Sequence, residues 1–166
     1  MRRGRSVPLL YGAAALVYAV DRATKVWAES ALAGGRSIDL IPGAVSLSLT
    51  RNTGGAFSLG ARAPLLFAAA TALIAAVIVV ASARPQRRGV AVSLGMILGG
   101  ALGNLTDRTI NGAGFTGGVT DFIDLHVWPV FNAADSAVVI GAIALVLLTA
   151  RQEARDARDA RDARDA

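Results

Sequence analysis

Four apolar stretches of the chain, at about 7–28, 64–83, 88–106 and 131–150, leave little choice of architecture. Each is close to the roughly 20 residues an α-helix needs to cross the hydrocarbon of a bilayer. Backbone polar groups in lipid must be satisfied internally, so only helices and closed barrels span. The runs lack the alternation that barrel strands show. With 54% hydrophobic and 17% charged residues in 166, the chain is too apolar for an ordinary soluble domain of this length. The expected fold is therefore an all-α membrane protein: four transmembrane helices in one domain, residues 1–150, followed by a charged low-complexity tail, 151–166.

Arginine sets the orientation. Arg2, Arg3 and Arg5 precede the first stretch; Arg84, Arg87 and Arg88 lie between the second and third; Arg151 opens a tail with four more. Such basic residues stay on the cytoplasmic side. Four spans then put both termini in the cytoplasm and the links at about 29–63 and 107–130 outside. "MRRGRS" before an apolar run, with "ALA" at 31–33, imitates a cleavable signal peptide. Asp21, Arg22, Lys25 and Glu29 intervene before that site, so a retained first helix is expected. The tail "RQEARDARDARDARDA" has no apolar face and reads as solvated, either frayed helix or disorder. In the outer link at 36–60, "VSLSLT" alternates like a strand and "PG" and "TGG" mark turns, predicting a small extracytoplasmic β-element between helices 1 and 2.

Composition also removes several chemistries. Without cysteine there are no disulfides, thiolate nucleophiles or thiolate-held metals. His126 is the single histidine, so a zinc site or a Ser-His-Asp triad has one residue to draw on. A net charge of +5 comes with arginines at helix ends rather than on a base-reading face, which argues against nucleic acid as a partner.

Polar residues then gather at the ends of the apolar runs, where charge is costly and points to function. In "DRATK", Asp21, Thr24 and Lys25 share one helix face; an interface ladder with a snorkelling lysine is the structural alternative. In "RNTGGAF" (51–57), Gly54 and Gly55 permit a close backbone approach and Asn52 offers an amide; a plain hairpin turn is the alternative. Gly95, Gly99 and Gly103 form a small-residue face that admits another helix. It ends in "GNLTDR", where Asn104, Asp107 and Arg108 converge on one side. Asp107 has Arg108 and Asn104 as local partners, a structural role. Arg108 and Asn104 are suited to satisfy a buried carboxylate. In "VTDFID…FNAAD", Asp121 precedes the fourth helix and Asp135 lies in its first turn, three residues after Asn132. Helix capping explains Asp135 as well as chemistry does. Yet two carboxylates brought together can share a proton, one activating water while the other polarises a carbonyl. Asp124 competes with Asp121. If "TDFID" is extended the two face opposite ways; if helical they share a face.

"DRATK", "NTGGAF", "GNLTDR", "VTDFI" and "FNAAD", in this order on four spans, resemble the lipoprotein signal peptidase, or signal peptidase II, family over about residues 7–150. The resemblance implies an aspartic endopeptidase of the bacterial inner membrane with its active site near the outer face. It implies removal of the signal peptide from prolipoproteins, just before a cysteine carrying diacylglycerol, without a cofactor or metal. Asp121 and Asp135 fall in the motifs of the family's catalytic aspartates. Asp21, Lys25, Asn52, Gly54, Asn104, Asp107, Arg108 and Asn132 fall in motifs that line or support the substrate groove. Gly55 and Thr120 depart from the family's common alanine and valine, which touches local fit only. Expected partners are the prolipoprotein and membrane lipid, with the chain acting as a monomer. The competing reading is a small ion or proton transporter built on the same carboxylates, which would place them nearer the midplane.

Overall fold

The structure, a computed structural model, describes residues 6–53 and 64–165. Helix α1 (Ser6–Ala31), strands β1 (Ser37–Ile41) and β2 (Val45–Asn52), helices α2 (Pro64–Ser82) and α3 (Arg88–Ile110), strand β3 (Val119–Asp124) and helix α4 (Ala133–Asp165) follow along the chain. Gly54 and the rest of "GGAF" lie outside the described residues.

By length and composition, α2, α3 and α4 are fit to cross a membrane among the described residues. The 26-residue α1 is long enough, but Asp21, Arg22, Lys25 and Glu29 charge its second half, so composition alone does not give the fourth expected span. Helix α4 runs unbroken into the A-R-D repeat, whose described side chains are almost all exposed. The tail is a solvated helix.

Helix α3 is the central element, packing on α1, α2 and α4. Its glycine face does what the spacing predicts. A Cβ on Gly95 would strike the Leu10 carbonyl, one on Gly99 the Ala14 carbonyl, and one on Gly103 the Asp21 carboxylate. These contacts climb both helices together, so α1 and α3 run parallel. On the other side Gly100 abuts Ala134, and Gly89 abuts Leu148; α4 is therefore antiparallel to α3. The buried core between the helices is small and aliphatic, with Leu10, Ala14, Ile97, Leu98 and Ala101 at its centre.

The β-element is larger than the sequence predicts. The expected β-element includes a hairpin, β1–β2, closed at Pro42–Gly43 by a turn with φ +73° at Gly43 and Ala44 N–H donating to Ile41 O at 3.0 Å. Pro and Gly at these two central positions fit a type II turn. A third strand comes from the second outer link: β3 pairs antiparallel with β2, in the order β1-β2-β3. Single-sequence alternation did not reveal it, because Val119 to Phe122 are all buried. The sheet rests on the end of α1, where Phe122 joins Ala28 and Leu32 and meets Trp27 edge-to-face at 6.4 Å.

Candidate active site

The C-terminal end of α3, the first turn of α4, the second half of α1 and strand β3 converge on one buried polar network. Its centre is Lys25, fully buried. The ammonium donates to Asn104 Oδ1 at 3.0 Å and is ion-paired with Asp21 Oδ2 and Asp107 Oδ2, each at 2.9 Å. A buried charge is tolerable only when paired and hydrogen-bonded, and this one is. Asp21 also accepts the Ala134 N–H at 3.1 Å, so α1 caps α4. Asp107 further binds Arg22 and takes the Thr120 N–H at 2.9 Å. It therefore couples α3 to both α1 and β3. Its expected local partner Arg108 is not among these; the Arg108 guanidinium donates to the Gly117 carbonyl instead.

Lys25 also orients the next residue. Because Nζ can only donate, it holds the Asn104 oxygen, and the Asn104 amide is turned to donate to Asp135 Oδ1 at 2.8 Å. Asn132 completes the arrangement. Its Nδ2 donates to Asp121 Oδ1 at 2.6 Å and to Asn104 Oδ1 at 3.2 Å. Its backbone N–H donates to Asp135 Oδ2 at 3.2 Å, while its Oδ1 accepts the Asp135 N–H at 2.9 Å. That reciprocal pair is a capping box at the start of α4. One asparagine thus caps the helix and touches both aspartates.

Asp121 is almost fully buried. From β2, Asn52 Nδ2 donates to Asp121 Oδ2 at 2.9 Å; Asn52 pairs with Val119, so it lies diagonally from Asp121 on one sheet face. Burial, and then the nearby Asp135 carboxylate, raise the Asp121 pKa to about 7, against the pull of the Asn52 and Asn132 hydrogen bonds and Lys25. Asp124, three residues on in an extended strand, is only half-buried and accepts the His126 N–H at 2.7 Å. The segment is extended, and Asp121 shares Asn132 with Asp135, whereas the bond of Asp124 is to the His126 N–H.

Arg108 is buried, but its guanidinium donates to the Gly117 carbonyl at 3.4 Å. It braces the loop that delivers β3, and Asn104 is the residue that satisfies a catalytic-candidate carboxylate. Sequence reasoning also missed a brace behind Asp121. Arg51 Nη1 donates to Thr120 Oγ1 at 2.8 Å, Thr120 Oγ1 donates to Glu29 Oε1 at 3.0 Å, and Arg51 pairs with Glu29 at 2.9 Å. The threonine at 120 uses the hydroxyl that a valine would lack.

Beside Asp135 opens an apolar cleft of about 400 Å³, lined by Leu125, Trp128, Phe131, Val139 and Ile140. Among the described residues, no group of three or more His, Cys, Asp or Glu side chains is arranged to hold a metal.

A family profile for signal peptidase (SPase) II matches residues 13–151. Lipoprotein signal peptidases are similar over most of the chain. That of Mycobacterium leprae (strain Br4923) is 43% identical, covering 87% of this chain and 73% of its own. That of Mycobacterium avium (strain 104) is 44% identical, covering 89% and 82%. A solved bacterial membrane enzyme, determined in meso at 2.3 Å, superposes with a TM-score of 0.75 at 28% identity, over 92% of this chain and 91% of that one.

Proposed function

The chain belongs to the signal peptidase II family, which cleaves signal peptides from lipoproteins, and from that premise we propose that it is an intramembrane aspartic endopeptidase with Asp121 and Asp135 as its catalytic pair. The observation that carries this reading is Asn132, which hydrogen-bonds both carboxylates from the first turn of α4. In the resting enzyme Asp121 holds the shared proton, consistent with its raised pKa of about 7. Asp135 accepts a proton from water as the hydroxide adds to the scissile carbonyl, and Asp121 donates to the developing oxyanion. Collapse of the tetrahedral intermediate expels the amine of the cysteine residue, which is protonated by the dyad. The cut falls before the diacylglyceryl-modified cysteine, and the cleft beside Asp135 receives apolar substrate.

Four spans with both termini cytoplasmic are part of the proposal. The parallel run of α1 with α3 supports it, as does the Tyr11–Ser82 hydrogen bond of 3.0 Å joining the start of α1 to the end of α2. The basic link at 84–88 and Arg151 then share one end of the bundle, and the polar network lies at the other. On this reading the carboxylates lie near the outer face, rather than at the midplane a transporter would use. The acidic part of α1 is tolerated there because Asp21 and Lys25 neutralise each other inside the protein. The enzyme acts as a monomer on prolipoproteins held in the surrounding lipid.

Single-turnover cleavage of a diacylglyceryl-modified prolipoprotein peptide tests the mechanism. Asp121→Asn and Asp135→Asn are expected to abolish it while the fold survives; Asp124→Asn is expected to be mild. Near-normal turnover in either of the first two variants would overturn the aspartic mechanism. Equal turnover of unlipidated peptide would overturn the substrate assignment.

A further inference from the structure

At the end of the bundle opposite the carboxylates, α3 and α4 enclose a cavity of about 170 Å³ that the peptidase chemistry does not use. Its lining includes Arg87, Arg151 and Arg155, with Gly89, Val90 and Leu148 beneath. Among the described residues, none of the three guanidinium groups has an ion-pair or hydrogen-bond partner. All three side chains are exposed and border one cleft, where a single anion can reach all of them.

Two further features point to the anion's chemistry. Arg87 is the N-cap of α3, without a side-chain cap bond, and the first turn of that helix holds no acidic residue. The first N–H groups of a helix lack intrahelical partners, and here Gly89 and Val90, which carry such groups, line the cavity. A bare helix start with guanidinium forks suits a phosphate group. The apolar side of the cavity is made by Leu148, which Gly89 lets approach so closely that a Cβ would lie 2.9 Å from its Cδ1. Beyond it Val92, Val146 and Leu147 are exposed along the helices, so a chain attached to the phosphate has apolar surface to follow.

Distance along α4 supplies the remaining argument. Arg151 lies 16 residues, and Arg155 lies 20 residues, beyond Asp135. At 1.5 Å per residue these are about 24 and 30 Å, one hydrocarbon thickness. With the dyad at the outer boundary, the arginines stand at the headgroups of the inner leaflet.

We propose that this cavity binds the phosphodiester headgroup of an anionic phospholipid in the leaflet opposite the active site. The inference rests on the membrane-spanning orientation proposed above. Native mass spectrometry of the full-length protein, titrated with phosphatidylglycerol or with phosphatidylcholine of the same acyl chains, tests it. Each arginine near an anionic headgroup contributes about fivefold, so the triple variant R87Q/R151Q/R155Q is expected to lose a preference on the order of a hundredfold. Arg151→Gln alone weakens it by about fivefold and carries the test should the triple variant fold poorly. Both variants cleave lipidated peptide in zwitterionic micelles like wild type. No preference for phosphatidylglycerol in the wild type would overturn the proposal, as would a preference that survives in a folded triple variant. Displacement of the lipid by equimolar inorganic phosphate would assign the cavity to a free ion instead. Loss of cleavage by the wild type would strike the peptidase reading and leave the lipid measurement standing.

Discussion

Replacing Asp121 by asparagine is expected to have opposite consequences for chemistry and for stability, and pH separates them. The Asp121 carboxyl is carried from its ordinary 3.8 to about 7 by burial and by Asp135. Such a change favours the neutral acid over the anion by about 4 kcal/mol. The folded protein therefore holds a proton that the unfolded chain has released between pH 3.8 and about 7. Stability falls as pH rises through that window, and the full penalty is present above about pH 7. Asparagine never ionises and escapes the penalty. It has a cost of its own: Asn52 and Asn132 each donate to one Asp121 oxygen, and an amide offers only one oxygen. The mismatched donor costs about 1–3 kcal/mol, but at every pH alike. Between about pH 5 and about pH 8.5 the variant should thus gain roughly 2–3 kcal/mol on wild type, the part of the penalty that develops there. Equilibrium unfolding of both proteins in mixed micelles, followed by circular dichroism at the two pH values, measures this difference, which belongs to the Asp121–Asp135 pair. Groups common to both proteins cancel. Cleavage by the wild type should also decline as pH rises past about 7, when the proton needed by the oxyanion is lost. A stability difference that stays flat with pH, or moves in favour of wild type at alkaline pH, would refute the raised pKa and with it the assignment of the proton.

Lys25→Met should cost about 3–5 kcal/mol, because it strands two buried carboxylates; unfolding midpoints in mixed micelles would show it, and adding Asp21→Asn should recover part of the loss. Thr120→Val should cost about 1 kcal/mol and retain most cleavage. It removes the hydroxyl between Glu29 and Arg51 but keeps the N–H that binds Asp107, and a complete loss of single-turnover cleavage would show that the brace matters more than its bonds suggest.

The helices and the polar residues of the buried network were legible because hydrophobic length and local spacing act within one segment. The Gly95–Gly99–Gly103 face predicted a close neighbour, and α1 is that neighbour. Partnership was less legible, because it depends on which segments meet. Nothing in "GNLTDR" says that Asp107 reaches Lys25 and Arg22 on α1, or that Arg108, close enough to feel the charges of Asp107, Asp121 and Asp135, gives its hydrogen bond to the Gly117 carbonyl. The Asp107 pairing follows from α1 and α3 running parallel at glycine contact, which brings Arg22 and Lys25 beside Asp107. The third strand was hidden for a related reason. A strand buried on both faces shows no alternation, so β3 is visible only once β2 is beside it. Pairing with β2 also makes "TDFID" extended, so that Asp121, and not Asp124, shares Asn132 with Asp135.

Asp135 fits a helix cap and a catalytic base equally well in sequence, and in the proposed mechanism the two roles share one arrangement. Asn132 and Asp135 exchange bonds at the first turn of α4, and the remaining Asn132 donor reaches Asp121. Capping therefore fixes Asp135 against the helix while the amide fixes the distance to its partner. Serine at 132 separates the two effects. Its hydroxyl can still accept the Asp135 N–H, since serine is as good an N-cap as asparagine, but it cannot reach Asp121 and Asn104 with an amide. Asn132→Ser should keep the start of α4, seen as unchanged helical circular dichroism and amide-exchange protection at Ala133 to Ser136. Its single-turnover rate should nevertheless fall by about a hundredfold, the scale on which a displacement near 1 Å acts. Asn132→Ala loses the cap as well, and should add about 1 kcal/mol of destabilisation to the same loss of rate. If Asn132→Ser cleaves like wild type while Asn132→Ala does not, the cap alone holds the pair, and the bridging amide has no part in catalysis.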